Sequence, residues 1–122
     1  MVFWGVDLGG TKIEAVVLDP DHPDEPLIRK RIQTEAHNGY SHIMQQIHTL
    51  IKTIAGELGL APDKIGIGTP GSLDPHSKTL KNSNTTCLNG KPVKQDLENL
   101  LEIPVVIAND ANCFALGKPI LG

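Results

Sequence analysis

Apolar residues recur along this chain with two different periods. Val2 to Val6 and Ile13 to Leu18 are strand-length apolar runs, separated by Asp7-Leu8-Gly9-Gly10-Thr11-Lys12. That pattern predicts two strands joined by a tight turn, with the glycine pair taking the positive φ such turns often need. A polar, proline-rich stretch, Asp19 to Pro26, reads as a second turn. Leu27 to Gln33 alternates weakly and carries Arg29 and Lys30, which suits a third strand at a sheet edge. Three strands with short links predict a meander. His37 to Tyr40 reads as a loop and Ser41 as a helix N-cap. From His42 the period changes. Ile43, Ile47, Ile51, Ile54 and Leu58 follow at helical spacing, with Met44, Leu50 and Ala55 widening the stripe. Gly59 is placed to end that helix, and Pro62 keeps the chain from continuing it.

The second half alternates strands and helices. Lys64 to Thr69 is a short strand, and the strand–helix–strand order predicts parallel pairing through a right-handed crossover. Gly66 and Gly68 alternate with Ile65 and Ile67, leaving one face without side chains, for close approach either of a ligand or of another part of the protein. Ser72 to Pro92 is poor in apolar residues, and Leu73 and Leu80 mark a small hairpin inside it. Val93, Leu97, Leu100 and Leu101 define a short helix, and Val105 to Ala108 is a continuous apolar run suited to a buried parallel strand. That strand ends in Asn109-Asp110-Ala111-Asn112, before a helix expected over Ala111 to Leu116. Ligands of parallel α/β sheets bind at this end of the strands, although Asp110 also suits an ordinary N-cap.

Composition narrows the function classes. At 122 residues and 39% hydrophobic content, the chain is one domain's worth, able to bury roughly two thirds of its unfolded surface. Net charge is −3, so no basic excess points to nucleic acid or to a membrane surface. No apolar run is long enough to span a bilayer, and the start shows no basic region or cleavage site of a signal peptide. The two cysteines, Cys87 and Cys113, are expected as reduced thiols in a cytoplasmic protein. The five histidines show no metal-site spacing and are expected to be solvated.

The chemistry lies in the first turn. Glycines leave backbone N–H groups uncovered, Thr11 adds a hydroxyl, Lys12 a cation and Asp7 a carboxylate, a set able to hold a phosphate and its metal ion. The stretch is neither a Walker P-loop nor a dinucleotide fingerprint, because Gly9 and Gly10 are adjacent and a strand follows. Asn82 to Gly90 concentrates amides and hydroxyls, which suit turns and equally suit a polyol.

Three motifs together, Asp7-Leu8-Gly9-Gly10-Thr11-Lys12, Gly66-Ile67-Gly68-Thr69-Pro70-Gly71 and Asn109-Asp110-Ala111-Asn112-Cys113-Phe114-Ala115-Leu116, resemble the N-terminal lobe of ROK-family sugar kinases. The resemblance runs from Val2 to about Leu116. It implies an α/β actin-like ATPase (ribonuclease-H-like) fold: a mixed five-stranded sheet, three-strand meander plus parallel strands, with helices on the faces, as one lobe of a normally two-lobed kinase. Residues 1–116 would form that lobe and 117–122 a divergent tail. Lys81 to Pro92 is most similar to the fructokinase branch, with glucokinase and N-acetylglucosamine kinase branches as alternatives.

The resemblance implies transfer of the γ-phosphate of ATP to a hexose hydroxyl, usually at the 6-position. Asp110 would be the general base. Asn109 and Asp110, with Gly71 and Asn84, would contact the sugar. Gly9, Gly10 and Thr11 would offer donors to the ATP phosphates, Lys12 a nearby positive charge, and Asp7 would orient Mg²⁺ through water. The family's second lobe, with its adenosine pocket and zinc site, has no counterpart here, so the isolated chain is expected to be inactive and to self-associate or pair through the face the second lobe would cover. A repressor of the same family, or a non-catalytic sugar-binding module, are the competing readings. The −3 charge, and a glycine turn so near the start, weigh against the repressor.

Overall fold

The computed structural model describes residues 2–22, 24–69, 72–73, 76–77, 79–81 and 86–109. Three strands open the chain: β1 (Phe3–Leu8), β2 (Lys12–Leu18) and β3 (Ile28–Gln33). Helix α1 (Tyr40–Leu58) leads to β4 (Ile65–Thr69). A two-strand hairpin of β5 (Ser72–Leu73) and β6 (Leu80–Lys81) comes next, then helix α2 (Val93–Leu101) and β7 (Val105–Asn109). The main sheet runs β3-β2-β1-β4-β7. Its first three strands are an antiparallel meander, and β4 and β7 are parallel to β1. The predicted mixed sheet, its edge strand and the Leu73–Leu80 hairpin are therefore present. The connection through α1 carries the chain past β2, so β4 pairs with β1 and not with the strand that precedes the helix. The helix expected over Ala111 to Leu116 and the tail at 117–122 lie outside the described residues.

One face of the sheet makes the core. Trp4, Val6 and Leu8 of β1, Ile13, Ala15 and Val17 of β2, Ile65 and Ile67 of β4 and Val105 of β7 meet the α1 stripe and Val93, Leu97 and Leu101 of α2. Both described helices thus cover the same face. The strand residues in this set are those that the register places side by side, which is why the period-2 and helical patterns close on each other. Each fully buried isoleucine contributes about 1.5–3 kcal/mol relative to exposure. The core carries one polar cost: the buried Trp4 Nε1–H has no hydrogen-bond acceptor among the described residues.

The entry to α1 differs from expectation. Residues Ala36–Asn38 form a 3₁₀ turn, and the helix starts at Tyr40 with Gly39 as its N-cap and no side-chain cap. Ser41 lies inside the first turn because Gly39, at φ 94°, has already redirected the chain. At the other end Gly59 takes φ 68° and donates to Ala55 O at 2.9 Å, the predicted stop.

Two polar clamps fix where β7 lies. Tyr40 Oη donates to Asp96 at 2.5 Å, tying α1 to α2. Burial, and then Asp96, push the Tyr40 hydroxyl well above its ordinary pKa. Glu98 accepts the Val105 N–H at 2.9 Å and Lys94 Nζ at 3.0 Å, joining α2 to the first residue of β7.

Candidate functional site

The β1–β2 turn is held from three sides. Gly9 N–H donates to Lys12 O at 3.0 Å. Thr34, just past β3, donates its Oγ1–H to Gly9 O at 2.8 Å and its N–H to Thr11 O at 2.8 Å. Thr34 is 0% exposed. The glycines do not serve the purpose expected of them, since the positive-φ glycines among the described residues are Gly39, Gly59 and Gly90. Gly9 is required by space: a Cβ there would lie 2.8 Å from Lys12 O. Nor is the Gly9 amide a donor to a ligand, because Lys12 O already takes it. The groups the turn offers are the amides of Gly10 and Thr11, the Thr11 hydroxyl and the Lys12 ammonium, all on exposed residues. Gly10 and Thr11 border an open cleft of about 380 Å³ whose other walls are Gln33, Glu35, Ala36 and His37.

At the same edge of the sheet the carboxyl ends of β1, β4 and β7 come together. Register places Asp7 beside Gly68 and Gly68 beside Ala108, with Thr69 beside Asn109 at the strand ends. β1 and β7 are two strand spacings apart, roughly 10 Å, and Gly68 puts no side chain between them. All five β4 positions are buried, so its glycines do not open onto solvent, and Gly66 lies against Gly5. Glu14, opposite Asp7, is engaged by Arg29 at 3.3 Å and Arg31 at 2.8 Å, which neutralises the second carboxylate on this face. Asn109 is the last residue of β7. Asp110, Gly71 and Asn84 lie outside the described residues.

The donor set fits a phosphate better than a bare cation. Among the described residues no cluster of three or more His, Cys, Asp or Glu could cage a metal ion. A Mg²⁺ ion at Asp7 would take its remaining ligands from water and phosphate oxygens, the usual arrangement for that ion. Cys87 is a free thiol. His42 is not merely solvated: its Nε2 lies 2.7 Å from Glu35 Oε1, because Glu35, in the left-handed region at φ 55°, turns its carboxylate toward α1. Gln46 of α1 donates to Gln33 O at 2.7 Å, so the helix braces the segment that carries Thr34. Sequence reasoning gave Thr34 no role. Extending the β2–β3 register one step past Lys12↔Gln33 would have set it opposite Thr11.

The glycine turn and the carboxyl ends of three parallel strands thus lie on one edge of a mixed α/β sheet. The ROK family model matches residues 3–122, and the chain belongs to the ROK family. It is 37% identical over 117 residues to an N-acetyl-D-glucosamine kinase of Aliivibrio fischeri, covering 96% of this chain and 37% of that protein. Among solved structures it is similar to the ROK hexokinase of Thermus thermophilus, with TM-score 0.77 and 30% identity over 95% of this chain and 37% of that one. It is also similar to a ROK glucokinase of Streptomyces griseus in complex with glucose and AMPPNP, with TM-score 0.79 and 29% identity over 94% of this chain and 35% of that one. The chain therefore spans about 37% of the length of the curated relatives it matches.

Proposed function

We propose that this chain is the N-terminal lobe of an ATP-dependent hexose kinase, with residues 1–116 forming the lobe. The observation that carries the reading is the shared edge: the phosphate-type turn after β1 and the end of β7, which leads directly into Asp110, lie two strands apart. A gap of that size suits a phosphoryl group and the hydroxyl that attacks it. When bound, ATP supplies the phosphoryl group. The chain's own part is to position and to accept a proton. Gly10, Thr11 and Lys12 bind phosphate oxygens, and Asp7 orients the hydrated Mg²⁺. Asn109, Gly71 and Asn84 orient the sugar, and the Asp110 carboxylate takes the proton of its reacting hydroxyl. An ordinary carboxyl pKa suffices, because the proton leaves as the new bond forms.

For the substrate, the names of the relatives favour an N-acetylhexosamine or glucose. The fructokinase likeness rests on Lys81 to Pro92 alone, and fructose is one arm of the test. A cytoplasmic location, and self-association through the strand-end face, belong to the same proposal. Catalysis of this type needs positioning from both sides and exclusion of water. The 122-residue chain by itself should therefore turn over negligibly.

The test is to read the coding DNA beyond codon 122 and express any continuous longer product. ADP release is then measured with glucose, N-acetylglucosamine, mannose and fructose. One sugar should be phosphorylated, and Asp110→Asn should lower kcat by about 10²–10⁴-fold. Full activity in Asp110→Asn, or steady turnover by the short chain, overturns the assignment.

A further inference from the structure

We infer that Thr34 is a positioning residue for nucleotide binding: its buried hydroxyl and amide hold the Gly9–Lys12 turn in the shape that presents the Gly10 and Thr11 amides. This deepens the phosphate reading of the turn and rests on it. A two-residue hairpin tip normally depends on its own cross-strand bonds. Here the tip is also gripped from the next strand's end, with Gly9 O and Thr11 O both accepting from the same residue at 2.8 Å. Two carbonyls that flank the tip are thereby committed to Thr34, and neither is left to face a bound phosphate. Carbonyl oxygens aimed at a phosphate would repel it, so engaging them matters as much as exposing the amides. Thr34 is itself anchored. Gln33 O receives Gln46 Nε2 at 2.7 Å, and Glu35 lies within 2.7 Å of His42, so two residues of α1 brace its chain neighbours on both sides.

The hydroxyl is the testable part. Thr34→Val keeps the shape and removes the donor to Gly9 O, whereas Thr34→Ser keeps the donor. Two NMR measurements on the full 122-residue chain separate the outcomes. The first is amide exchange. In Thr34→Val the turn loses its grip at Gly9 O and should open more often, so the Gly9 amide, still bonded to Lys12 O, should exchange up to roughly tenfold faster, while core amides of β4 keep their protection; Thr34→Ser should restore it. Equal acceleration everywhere, or none at Gly9, overturns the inference and leaves Thr34 an ordinary core residue. The second is titration with Mg·ATP, followed at Gly10 and Thr11. Thr34→Val should weaken binding by about five- to tenfold, and Thr34→Ser should lie near wild type. If wild type responds and Thr34→Val binds equally well, this inference fails alone. If the wild-type turn does not respond at all, the phosphate reading fails and this inference with it.

Discussion

Replacing Gly9 by alanine tests whether the turn is as tightly determined as its geometry says. The backbone at Gly9 is outside the left-handed region, so alanine meets no φ penalty there. Its methyl carbon would instead lie 2.8 Å from Lys12 O, inside the contact limit of real Cβ atoms. The obstacle is backbone, and neither partner can retreat easily. Gly9 N–H is bonded to that same oxygen at 3.0 Å, and Gly9 O is held by Thr34 at 2.8 Å. Opening the turn by a few tenths of an ångström strains both bonds. Overpacking of this kind costs about 1–3 kcal/mol. The stiffer unfolded chain returns about 0.4–1 kcal/mol. The net is a loss of roughly 1–2 kcal/mol, or about 3–10 °C in Tm for a domain of this size.

The assay is built into the chain. Trp4 is the one tryptophan and is 1% exposed, so its fluorescence follows unfolding without a label. Gly56→Ala is the matched control. Gly56 sits inside α1 with nothing within 4 Å of an added Cβ, so alanine there should gain about 0.5–1 kcal/mol and raise Tm. The same chemical change should thus move Tm in opposite directions at the two sites. If Gly9→Ala melts at or above wild type, the turn is not sterically closed and the argument for Gly9 is wrong.

Two further outcomes follow from the packing. The Val105 N–H, and then Lys94, hold the Glu98 carboxyl below its ordinary range, so its stabilisation is complete above about pH 4.5 and disappears as pH falls through its lower folded value. Being partly exposed, it should supply only about 1 kcal/mol; acid titration of Tm in wild type and Glu98→Gln should converge at low pH, and parallel curves would refute the assignment. Ile47 is 0% exposed in the α1 stripe, so Ile47→Ala should cost about 2–5 kcal/mol in urea unfolding, and a loss under about 1 kcal/mol would mean the core collapses around the gap.

The elements that were legible in the sequence are those whose pattern records burial on one side. The α1 stripe and the Ile65–Ile67 alternation in β4 each name residues that meet in the core, while the apolar runs of β1 and β2 marked the strands without saying which side faces inward. What escaped was set by backbone placement between distant segments. Ser41 has the right chemistry for a cap, but Gly39 turns the chain two residues earlier. The glycine pair suggests a positive-φ turn, whereas Gly9 answers to the Lys12 carbonyl. Thr34 becomes meaningful only once β3 is laid beside β2. For the candidate site, spacing placed the glycine turn and Asn109 at strand ends, and the sheet order then put both ends on one edge.

That sheet order also limits what the turn can do alone. In a P-loop the phosphate loop opens a helix, and the helix N-terminus adds its dipole and further amides. Here the turn feeds β2, an antiparallel strand, so the turn itself opens no helix that could add its dipole to a bound phosphate. The field at the turn comes from the Gly10 and Thr11 amides, the Thr11 hydroxyl and the Lys12 ammonium. Exposed hydrogen bonds of this kind contribute about 0.5–1.5 kcal/mol each, a sum that the cost of association largely offsets, so the dissociation constant should be no tighter than roughly millimolar. Mg·ATP should therefore bind the 122-residue chain weakly and through its phosphates. Micromolar binding would mean that this chain holds the rest of the nucleotide by contacts the glycine turn does not provide.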